Sequence, residues 1–371
     1  MIEKKLGILG GGQLGAMLIQ SGISLGIPIS VLELDPQAPC RMYATHFVVG
    51  DPLNYDDVMR FGESVDVLTI EKEAVNVQAL FDLREKGKFI FPSPETIGMV
   101  QDKWKQKQFL VSKGIPVVPG LFVKGRDELR QLNASFPLCL KLCRDGYDGR
   151  GVMVLRQAED INEAFDAECV VEQFVPIAEE ISVIVARNET GEIKLFDAVS
   201  MVFDTTNNIL DYQLSPARIS PSVAEKAKSL AIEVAQTTNL IGIVAVEMFV
   251  LQDSSVLVNE LAPRPHNSGH HSIEACLTSQ YEQVLRAVLG LPLGDPSTLS
   301  PSAMVNVLGK ADRGSNLAEQ LRSILSMKNV HIHWYGKKER KGRKLGHITI
   351  LDETIEAALL KATTIKNILN S

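Results

Sequence analysis

The first hundred residues alternate short apolar runs with amphipathic stretches, a pattern that predicts parallel strands joined by helices. An apolar run at residues 6–9 leads into the glycine-rich turn 10–15, and a second run at residues 29–34 ends at Asp35. Glycines in such a turn let the backbone approach an anion at the start of the following helix. The turn is therefore compatible with a dinucleotide site, with a sugar-phosphate site or simply with close packing of the helix.

A third parallel-type strand is predicted at residues 65–70, and the charged sequence Glu71-Lys72-Glu73 follows it. Ligands of open parallel sheets bind at the carboxyl ends of the strands, so Glu73 is a candidate binding residue. The alternative is an ordinary solvated charge cluster. A helix is predicted to start at Ser93 or Glu95 and to run to about Ser112.

A hairpin is predicted where two apolar, β-branched runs flank the turn sequence 252–255. If four residues form the loop, Glu247 and Glu260 lie directly opposite each other, with Cβ atoms about 5 Å apart. Two carboxylates that close require either protonation of one of them or a cation between them. A register slip would instead send one glutamate to solvent. The polar cluster Arg264, His266, Asn267 and His270, just beyond the hairpin, favours the cation.

A lone lysine, Lys141, lies in the apolar strand predicted at residues 138–142, where burial is costly unless the charge meets an anion. The glycine-rich segment 144–151 follows and predicts either a phosphate-covering flap or an ordinary hairpin, since it lacks the ending of a P-loop. The strand predicted at 169–175 turns polar in its second half, where its backbone could face a purine.

Further strands are predicted at 181–186 and 195–202, and helices at 223–238 and 272–289. The last seventy-odd residues contain strands at 303–308, 330–335 and 348–351. Between Lys337 and Lys344 six basic residues face one acid. Such a run usually forms a solvated face, but here it lies at a turn between strands, where an anion-binding loop is also possible.

Composition narrows the class of protein. Apolar residues make up 45% of the 371 and charged residues 22%, as in ordinary globular proteins. A net charge of −7 argues against bulk nucleic-acid binding. Five cysteines without a C-x-x-C pair predict a reduced, cytoplasmic protein without structural disulfides or zinc. The longest apolar stretch, 240–251, is too short to span a membrane and contains Glu247.

The order of these motifs resembles that of the ATP-grasp superfamily, whose members activate a carboxylate as an acyl phosphate for attack by an amine. Within it, the chain is similar to the 5-(carboxyamino)imidazole ribonucleotide synthase family, the ATP-dependent carboxylases of bacterial purine biosynthesis. Four separated motifs carry the resemblance: residues 10–15, 146–151, 259–270 and 342–347.

The resemblance implies an α/β and α+β chain with an ATP-grasp fold. It implies a Rossmann-like parallel-sheet domain at residues 1–98, an ATP-grasp domain at 99–296 and a small β-rich domain at 297–371. The flap subdomain would occupy about 115–176. A homodimer is also implied.

The resemblance further implies roles for single residues. Phosphate contacts would come from Lys103 and Lys141, metal ligation from Glu247 and Glu260, and a ribose contact from Glu180. Adenine would be held by Glu172 and by the backbone of Gln173, Phe174 and Val175. The remaining ATP-binding residues would be Gly146, Gly149, Gly151 and Asn259.

The other implied roles concern bicarbonate and 5-aminoimidazole ribonucleotide. Arg264 would hold bicarbonate and then carboxyphosphate. Asp148 is a candidate for removing the amine proton, with Tyr147, Arg150 and Glu73 lining the aminoimidazole pocket. The residues implied to contact the rest of the substrate, chiefly its 5′-phosphate, are Gln13, Leu14, His270, Lys337 and Arg343. Mg²⁺ would bridge the ATP phosphates and neutralise charge during transfer.

The chain departs from the family pattern at Lys72, Ala74, Asp145, Ser200 and Phe203, and Asp145 stands where glycine is usual. Three alternatives stay open on the residues. A related ATP-grasp enzyme would use formate, but its flap is rich in serine and lysine. A dehydrogenase would bind NAD at the first turn, which leaves the Glu247–Glu260 pair unexplained. A weakened binding protein would fit the departures.

Overall fold

The computed structural model describes residues 4–146, 151–204, 209–310 and 316–370. Three sheets organise these residues, of five, nine and four strands. Nowhere in these ranges is there a helix with the length and apolarity needed to cross a lipid bilayer.

A five-stranded parallel sheet forms the first domain, in the order β3-β2-β1-β4-β5. Its strands are β1 (Leu6–Leu9), β2 (Ile29–Glu33), β3 (His46–Val49), β4 (Val67–Ile70) and β5 (Phe89–Ile90). The helices are α1 (Gln13–Ser24), α2 (Tyr55–Glu63), α3 (Val77–Glu85) and α4 (Pro94–Val100). β1 and β4 are buried on both faces, which explains their uninterrupted apolar sequence. The carboxyl ends of β1 and β4 therefore bring the glycine turn beside Glu71 and Glu73.

The next segment contains a small antiparallel sheet in the order β6-β9-β7-β8. Its elements are α5 (Lys103–Ser112), β6 (Gly120–Val123), α6 (Arg126–Gln131), β7 (Leu138–Leu142), β8 (Val152–Leu155) and β9 (Cys169–Gln173). β7 is the predicted strand around Lys141. The predicted flap connects β7 to β8, and residues 147–150 of it lie outside the described part of the chain.

The large sheet has nine strands, eight of them in the order β15-β14-β10-β12-β13-β16-β18-β17 and the ninth, β11, paired with β10. Its strands are β10 (Ile177–Arg187), β11 (Ile193–Leu195), β12 (Val199–Phe203), β13 (Leu210–Ser215), β14 (Gly242–Leu251), β15 (Val256–Ala262), β16 (Ser302–Leu308), β17 (Val330–Trp334) and β18 (Lys344–Leu351). The helices around it are α7 (Pro221–Thr237), α8 (Ser272–Ala275), α9 (Gln280–Val288), α10 (Leu317–Leu325) and α11 (Ile355–Asn370). Because β13 pairs with β16, the C-terminal strands extend the same sheet rather than forming a separate one.

Two predicted helices are each divided in the structure. The helix expected to end near Ser112 is interrupted between α4 and α5, because the Asp102 carboxylate accepts from the backbone N–H groups of Trp104 and Lys105 and starts a new helix. The helix expected at 272–289 ends at Ala275, since Cys276 adopts an extended conformation and bridges to Thr298. Ser279 then caps α9.

Candidate active site

The predicted opposition of Glu247 and Glu260 is confirmed by the register of β14 and β15. The predicted loop length, however, is wrong. Val250 pairs with Val256, so five residues rather than four lie between the last two residues that pair. Met248 pairs with Val258 and Glu247 with Glu260, so Asn259 is an extra residue on β15. This bulge shifts the register by one residue and returns Glu260 to a position opposite Glu247.

The bulge also directs two neighbouring side chains towards one face. Val258 and Leu261 are both buried in the core beside α7. Asn259 and Glu260 lie between them and are only partly buried, on the side away from this core. In a regular strand these two side chains would point to opposite faces. The irregularity therefore gives the cleft both an amide and a second carboxylate.

Cationic side chains already lie against the opposed carboxylates. Lys103 forms an ion pair with Glu260. His266 Nε2 lies 3.2 Å from Glu247 Oε1. Burial would raise the pKa of Glu247, but the hydrogen bond and charge of His266, with the charges of Lys103 and Arg264, hold it below its ordinary value. The surrounding groups thus favour the ionised form of Glu247.

A buried ion triad lies next to the pair. Glu172, only 4% exposed, accepts from Lys107 through Oε1 and from Lys141 through Oε2, each at 2.7 Å. Lys141 Nζ also donates to Asn259 Oδ1 (2.8 Å) and Lys107 Nζ to the Val118 carbonyl (2.6 Å). Burial would lower the pKa of Lys141, but the charge of Glu172 raises it above its ordinary value. For Lys107 burial prevails and lowers the pKa.

Lys107 is a residue that the sequence reasoning missed. It follows Lys103 by four positions on α5, so both ammonium groups project from one face of the helix. The signal was available, since two lysines at this spacing follow an aspartate that can cap a helix. A cavity of about 20 Å³ lies between this helix face, Lys141, Glu172, Asn259 and Glu260.

Glu180 lies near these groups on β10. Burial, and then the nearby charge of Glu247, raise the pKa of Glu180 to about 7, with Lys141 opposing. Gln173 ends β9, its N–H donating to the Pro119 carbonyl (3.3 Å), and Phe174 is 51% exposed. Val175 accepts from the N–H of Ile177 (2.9 Å). The adenine and ribose contacts of these residues stay predictions.

The described ends of the flap are fixed to the cleft. Arg144 donates to Asp102 Oδ2, the free oxygen of the residue that caps α5 (3.1 Å). Asp145 has a φ of 62°, the left-handed conformation that favours glycine, which explains why glycine is usual there. Gly146 and Gly151 border the segment, and the Gly151 carbonyl accepts from the Leu142 N–H (2.8 Å). The predicted residues Tyr147, Asp148, Gly149 and Arg150 lie outside the described residues.

Arg264 connects the first domain to the large sheet. Its Nε lies 2.9 Å from Glu73 Oε1, and Nη1 donates to the Pro265 carbonyl (2.8 Å). The Gln101 amide holds the Glu73 segment by donating to the carbonyls of Glu73 (2.8 Å) and Val75 (2.9 Å). The structure therefore places Glu73 and Arg264, two predicted site residues that are far apart in the sequence, in direct contact.

The glycine turn differs from the expectation of a backbone phosphate site. The N–H groups of Gly12 and Leu14 donate to the Glu71 carboxylate, at 2.9 and 3.2 Å. The N–H of Gly11 donates to Glu33 Oε2 (2.7 Å). The backbone donor of Leu14 is therefore bonded to Glu71 in this structure, and its contact with the substrate phosphate stays a prediction. The NAD alternative loses its pyrophosphate donors for the same reason.

Gln13 and Lys337 are brought together as predicted, with the Lys337 ammonium donating to Gln13 Oε1. Arg343 lies on the same C-terminal loop, where its Nη1 donates to the Lys338 carbonyl (3.2 Å). Beyond Gln13 a cleft of about 750 Å³ opens between α1 and β17. His270 is corrected as a substrate contact, because its side chain is 1% exposed and enclosed by protein.

The donor set of the opposed pair fits a divalent cation. Two carboxylates supply the hard oxygen ligands that such an ion prefers, and a lysine lies against one of them and a histidine against the other. Within the described ranges, no cluster of three or more His, Cys, Asp or Glu side chains could hold a metal. A cation at Glu247 and Glu260 would therefore take its remaining ligands from outside these side chains.

Three family models match the chain in succession: the ribonucleotide synthetase preATP-grasp domain at residues 3–101, the ATP-grasp domain at 108–281 and the phosphoribosylaminoimidazole carboxylase C-terminal domain at 302–361. The N5-carboxyaminoimidazole ribonucleotide synthase of Bacillus subtilis is 37% identical over 355 residues, which are 94% of this chain and 91% of that protein.

Solved structures agree with these relatives. The N5-carboxyaminoimidazole ribonucleotide synthetase of Thermotoga maritima superimposes with a TM-score of 0.89 at 38% identity, covering 98% of each chain. The Aspergillus clavatus N5-carboxyaminoimidazole synthase, solved with ADP and 5-aminoimidazole ribonucleotide, gives 0.92 at 32% identity, over 100% of this chain and 99% of that one. With matches of this length at the level of sequence and of fold, the chain belongs to the N5-carboxyaminoimidazole ribonucleotide synthase family of ATP-grasp enzymes.

Proposed function

We propose that the chain uses ATP to carboxylate the amine of 5-aminoimidazole ribonucleotide with bicarbonate, giving 5-(carboxyamino)imidazole ribonucleotide, ADP and phosphate. One observation of the site carries this function. The lysines beside the opposed Glu247–Glu260 pair, and the Arg264–Glu73 ion pair, lie around the same end of the large sheet. Phosphate, metal and a small anion can therefore be held together.

ATP would lie across the ion triad. Lys103 and Lys141 would hold its phosphates, and the cleft side chains of Asn259 and Glu172 keep the Lys141 ammonium in place. Glu180 would accept hydrogen bonds from the ribose hydroxyls, and residues 172–175 would border the adenine. The glycines 146, 149 and 151 would let the flap approach the phosphates closely.

Glu247 and Glu260 would hold Mg²⁺ between them. The ion would neutralise charge on the ATP phosphates during phosphoryl transfer. Their surroundings support this assignment, because Glu260 lies against Lys103 and Glu247 against His266, so both carboxylates already face basic side chains.

Arg264 would hold bicarbonate. A bicarbonate oxygen attacks the γ-phosphorus, the bond to the ADP oxygen breaks, and ADP leaves with carboxyphosphate formed. The substrate amine then attacks the carboxyphosphate carbon, and inorganic phosphate leaves as the C–O bond to it breaks. Carboxyphosphate decays in water, so closure of the flap over the cleft is essential to the second step.

The amine proton is lost in that second step, and Asp148 is the base proposed to take it. Tyr147, Arg150 and Glu73 would line the aminoimidazole pocket. Gln13, Lys337 and Arg343 would hold the 5′-phosphate by side chains, since the backbone donors of the glycine turn are used by Glu71 and Glu33.

We further propose a cytoplasmic homodimer, on the strength of the family alone. Sedimentation of the purified protein at micromolar concentration would test the dimer.

The reaction itself is tested by ADP formation with ATP, Mg²⁺ and 5-aminoimidazole ribonucleotide, with either bicarbonate or formate added. We expect ADP formation that depends on bicarbonate, and no stimulation by formate. A rate that follows formate and ignores bicarbonate would contradict the proposal. Turnover equal to the uncatalysed background would instead favour a binding protein.

A further inference from the structure

Three imidazole rings stack where the loop after β15 meets the C-terminal strands. The ring centroids of His270 and His347 are 4.3 Å apart with 23° between the ring planes. Those of His347 and His333 are 4.4 Å apart with 10° between the planes. His333 and His347 lie directly opposite each other on β17 and β18. We call these three stacked rings the imidazole stack.

Each ring of the imidazole stack is also fixed by a hydrogen bond. The Tyr281 hydroxyl bonds His270 Nδ1 (2.8 Å), and the Tyr335 hydroxyl bonds His347 Nδ1 (2.7 Å). His333 Nε2 lies 2.6 Å from Glu274 Oε1. The rings therefore have little freedom to rotate or slide, and the stack is a rigid connection.

One end of the imidazole stack closes the loop that carries the proposed bicarbonate residues. His270 lies six residues after Arg264 and four after His266, which contact Glu73 and Glu247. A 3₁₀ turn, Asn267–Gly269, joins them to His270. The His270 ring is thus connected to Arg264 by a short segment in which the N–H groups of Gly269 and His270 are hydrogen-bonded.

The middle ring of the imidazole stack, His347, is bonded to the segment that leads to the proposed phosphate site. Tyr335 lies two residues before Lys337, whose ammonium donates to Gln13 in the first domain. The Tyr335 hydroxyl bond to His347 consequently fixes the strand end from which Lys337 projects. The stack joins the two halves of the active site, which belong to distant parts of the sequence.

Burial of the His347 ring is unfavourable for stability. The side chain is fully buried, and its Nε2 has no hydrogen-bond partner among the described residues. A buried polar atom without a partner destabilises the fold, whereas an aromatic hydrocarbon ring of similar shape would not carry that cost. The Nε2 atom therefore gives no reason for a histidine here, whereas the bond of Nδ1 to Tyr335 and the packing against His270 and His333 do.

We propose that His347 is a positioning residue, which holds the Arg264–His266 loop in register with the Lys337 end of the substrate site. Since it is fully buried, it does not touch substrate. Its ring packs against His270 and so fixes the bicarbonate side, while its Nδ1 fixes Tyr335 and so the phosphate side. The inference rests on the proposed function, because it assigns His347 to that same reaction.

The test compares three substitutions on β18 by steady-state kinetics with each substrate varied in turn. His347→Ala removes both the stack and the Tyr335 bond, and we expect it to lower kcat/KM for the nucleotide substrate about 100-fold. His347→Phe keeps the stack and loses only the Tyr335 bond. We expect it to raise KM for 5-aminoimidazole ribonucleotide about 10-fold while kcat stays within about twofold.

Thr349→Val is the matched control, because Thr349 is also fully buried on β18 and its hydroxyl has no partner in the part of the chain that the structure describes. We expect wild-type kinetics from it. In all three variants KM for ATP should stay within about twofold, since the ion triad is not touched by the stack.

The inference is overturned if folded His347→Phe shows the wild-type KM for the nucleotide, or if it lowers kcat while KM is unchanged. It is equally overturned if His347→Ala raises KM for ATP as much as KM for the nucleotide, since that pattern indicates general loosening. Failure of the proposed function looks different, because then the wild-type protein itself forms no ADP in response to bicarbonate.

Discussion

Two regions of this protein look like phosphate sites in the sequence, and the structure treats them in opposite ways. At the glycine turn 10–15, acids from neighbouring strands accept from the backbone N–H groups. At the lysine cleft, formed by Lys103, Lys107 and Lys141, acids hold the cations in place from one side. Acidic residues thus occupy the anion-binding groups of the first region, whereas in the second region they position the cations.

The difference lies in which group the carboxylate neutralises. Glu71 sits where a phosphate would lie, so close that a Cβ on Gly12 would come within 2.3 Å of its Oε1. Glu172 is buried between Lys107 and Lys141 and neutralises these side chains rather than backbone N–H groups. A glycine fingerprint therefore predicts an anion site only when no acid on an adjacent strand already fills it.

The largest effect is expected from Glu260→Ala, which removes one of the two opposed carboxylates from the lysine cleft. We expect a loss of ATP turnover of at least about 1,000-fold, because charge on the phosphates is no longer balanced by a held metal. Assays of ADP formation would measure turnover, and circular dichroism would show whether the fold is retained. Glu233→Ala, an exposed glutamate on α7, is the control and should keep full activity. Undiminished turnover in Glu260→Ala would contradict the metal assignment.

The second prediction tests whether acids prepare the lysine cleft. Lys107→Met leaves Glu172 with a single partner, Lys141, whose ammonium is then drawn towards the vacated side. We expect KM for ATP to rise about 10- to 100-fold, since a charge displaced from the phosphates loses most of its contact energy. Lys105→Met, on an exposed face of α5, is the matched control. If KM for ATP is the same in both variants, Lys107 has no part in positioning.

A third substitution, Glu71→Ala, reopens the glycine turn. It leaves the N–H groups of Gly12 and Leu14 without acceptors, and we expect the free energy of unfolding to fall by about 2–3 kcal/mol. Urea titrations with and without inorganic phosphate would measure the loss. Phosphate should restore more stability to Glu71→Ala than to the wild type. An equal response of both proteins would show that Glu71 does not close an anion site.

The smallest effect concerns pH. The pKa of Glu180 is raised to about 7, first by burial and then by Glu247, so its carboxylate is mostly ionised above pH 7 and mostly protonated below. A charged acceptor binds ribose hydroxyls more strongly than a neutral one. We expect KM for ATP to rise about 10-fold as the pH falls from 8 to 6. Glu180→Gln should flatten this profile, and an unchanged slope would exclude Glu180 as the titrating group.

Much of the fold could be predicted from the sequence, because apolar periodicity and turn residues act locally. The strand at β7 and the hairpin of β14 and β15 are examples. The opposition of Glu247 and Glu260 was predicted through a loop of the wrong length. A bulge at Asn259 offset that error, and bulges have no reliable sequence signature.

Features that depend on contacts between distant residues could not be predicted from local sequence patterns. Asp102 was not predicted to divide a helix, although aspartate is a strong N-cap residue. The acids that fill the glycine turn come from 22 and 57–59 residues away. The imidazole stack joins His270 to strands more than sixty residues further along the chain, and only the folded sheet brings them together.

The central claim is that the lysine cleft and Arg264 activate bicarbonate as carboxyphosphate before the amine reacts. Bicarbonate labelled with ¹⁸O tests it directly, because the oxygen that attacks the γ-phosphorus stays with phosphorus when the amine displaces phosphate. We predict one ¹⁸O atom in each inorganic phosphate released, read by the isotope shift of its phosphorus resonance. Unlabelled phosphate, formed at the same rate as the carboxylated product, would contradict the claim.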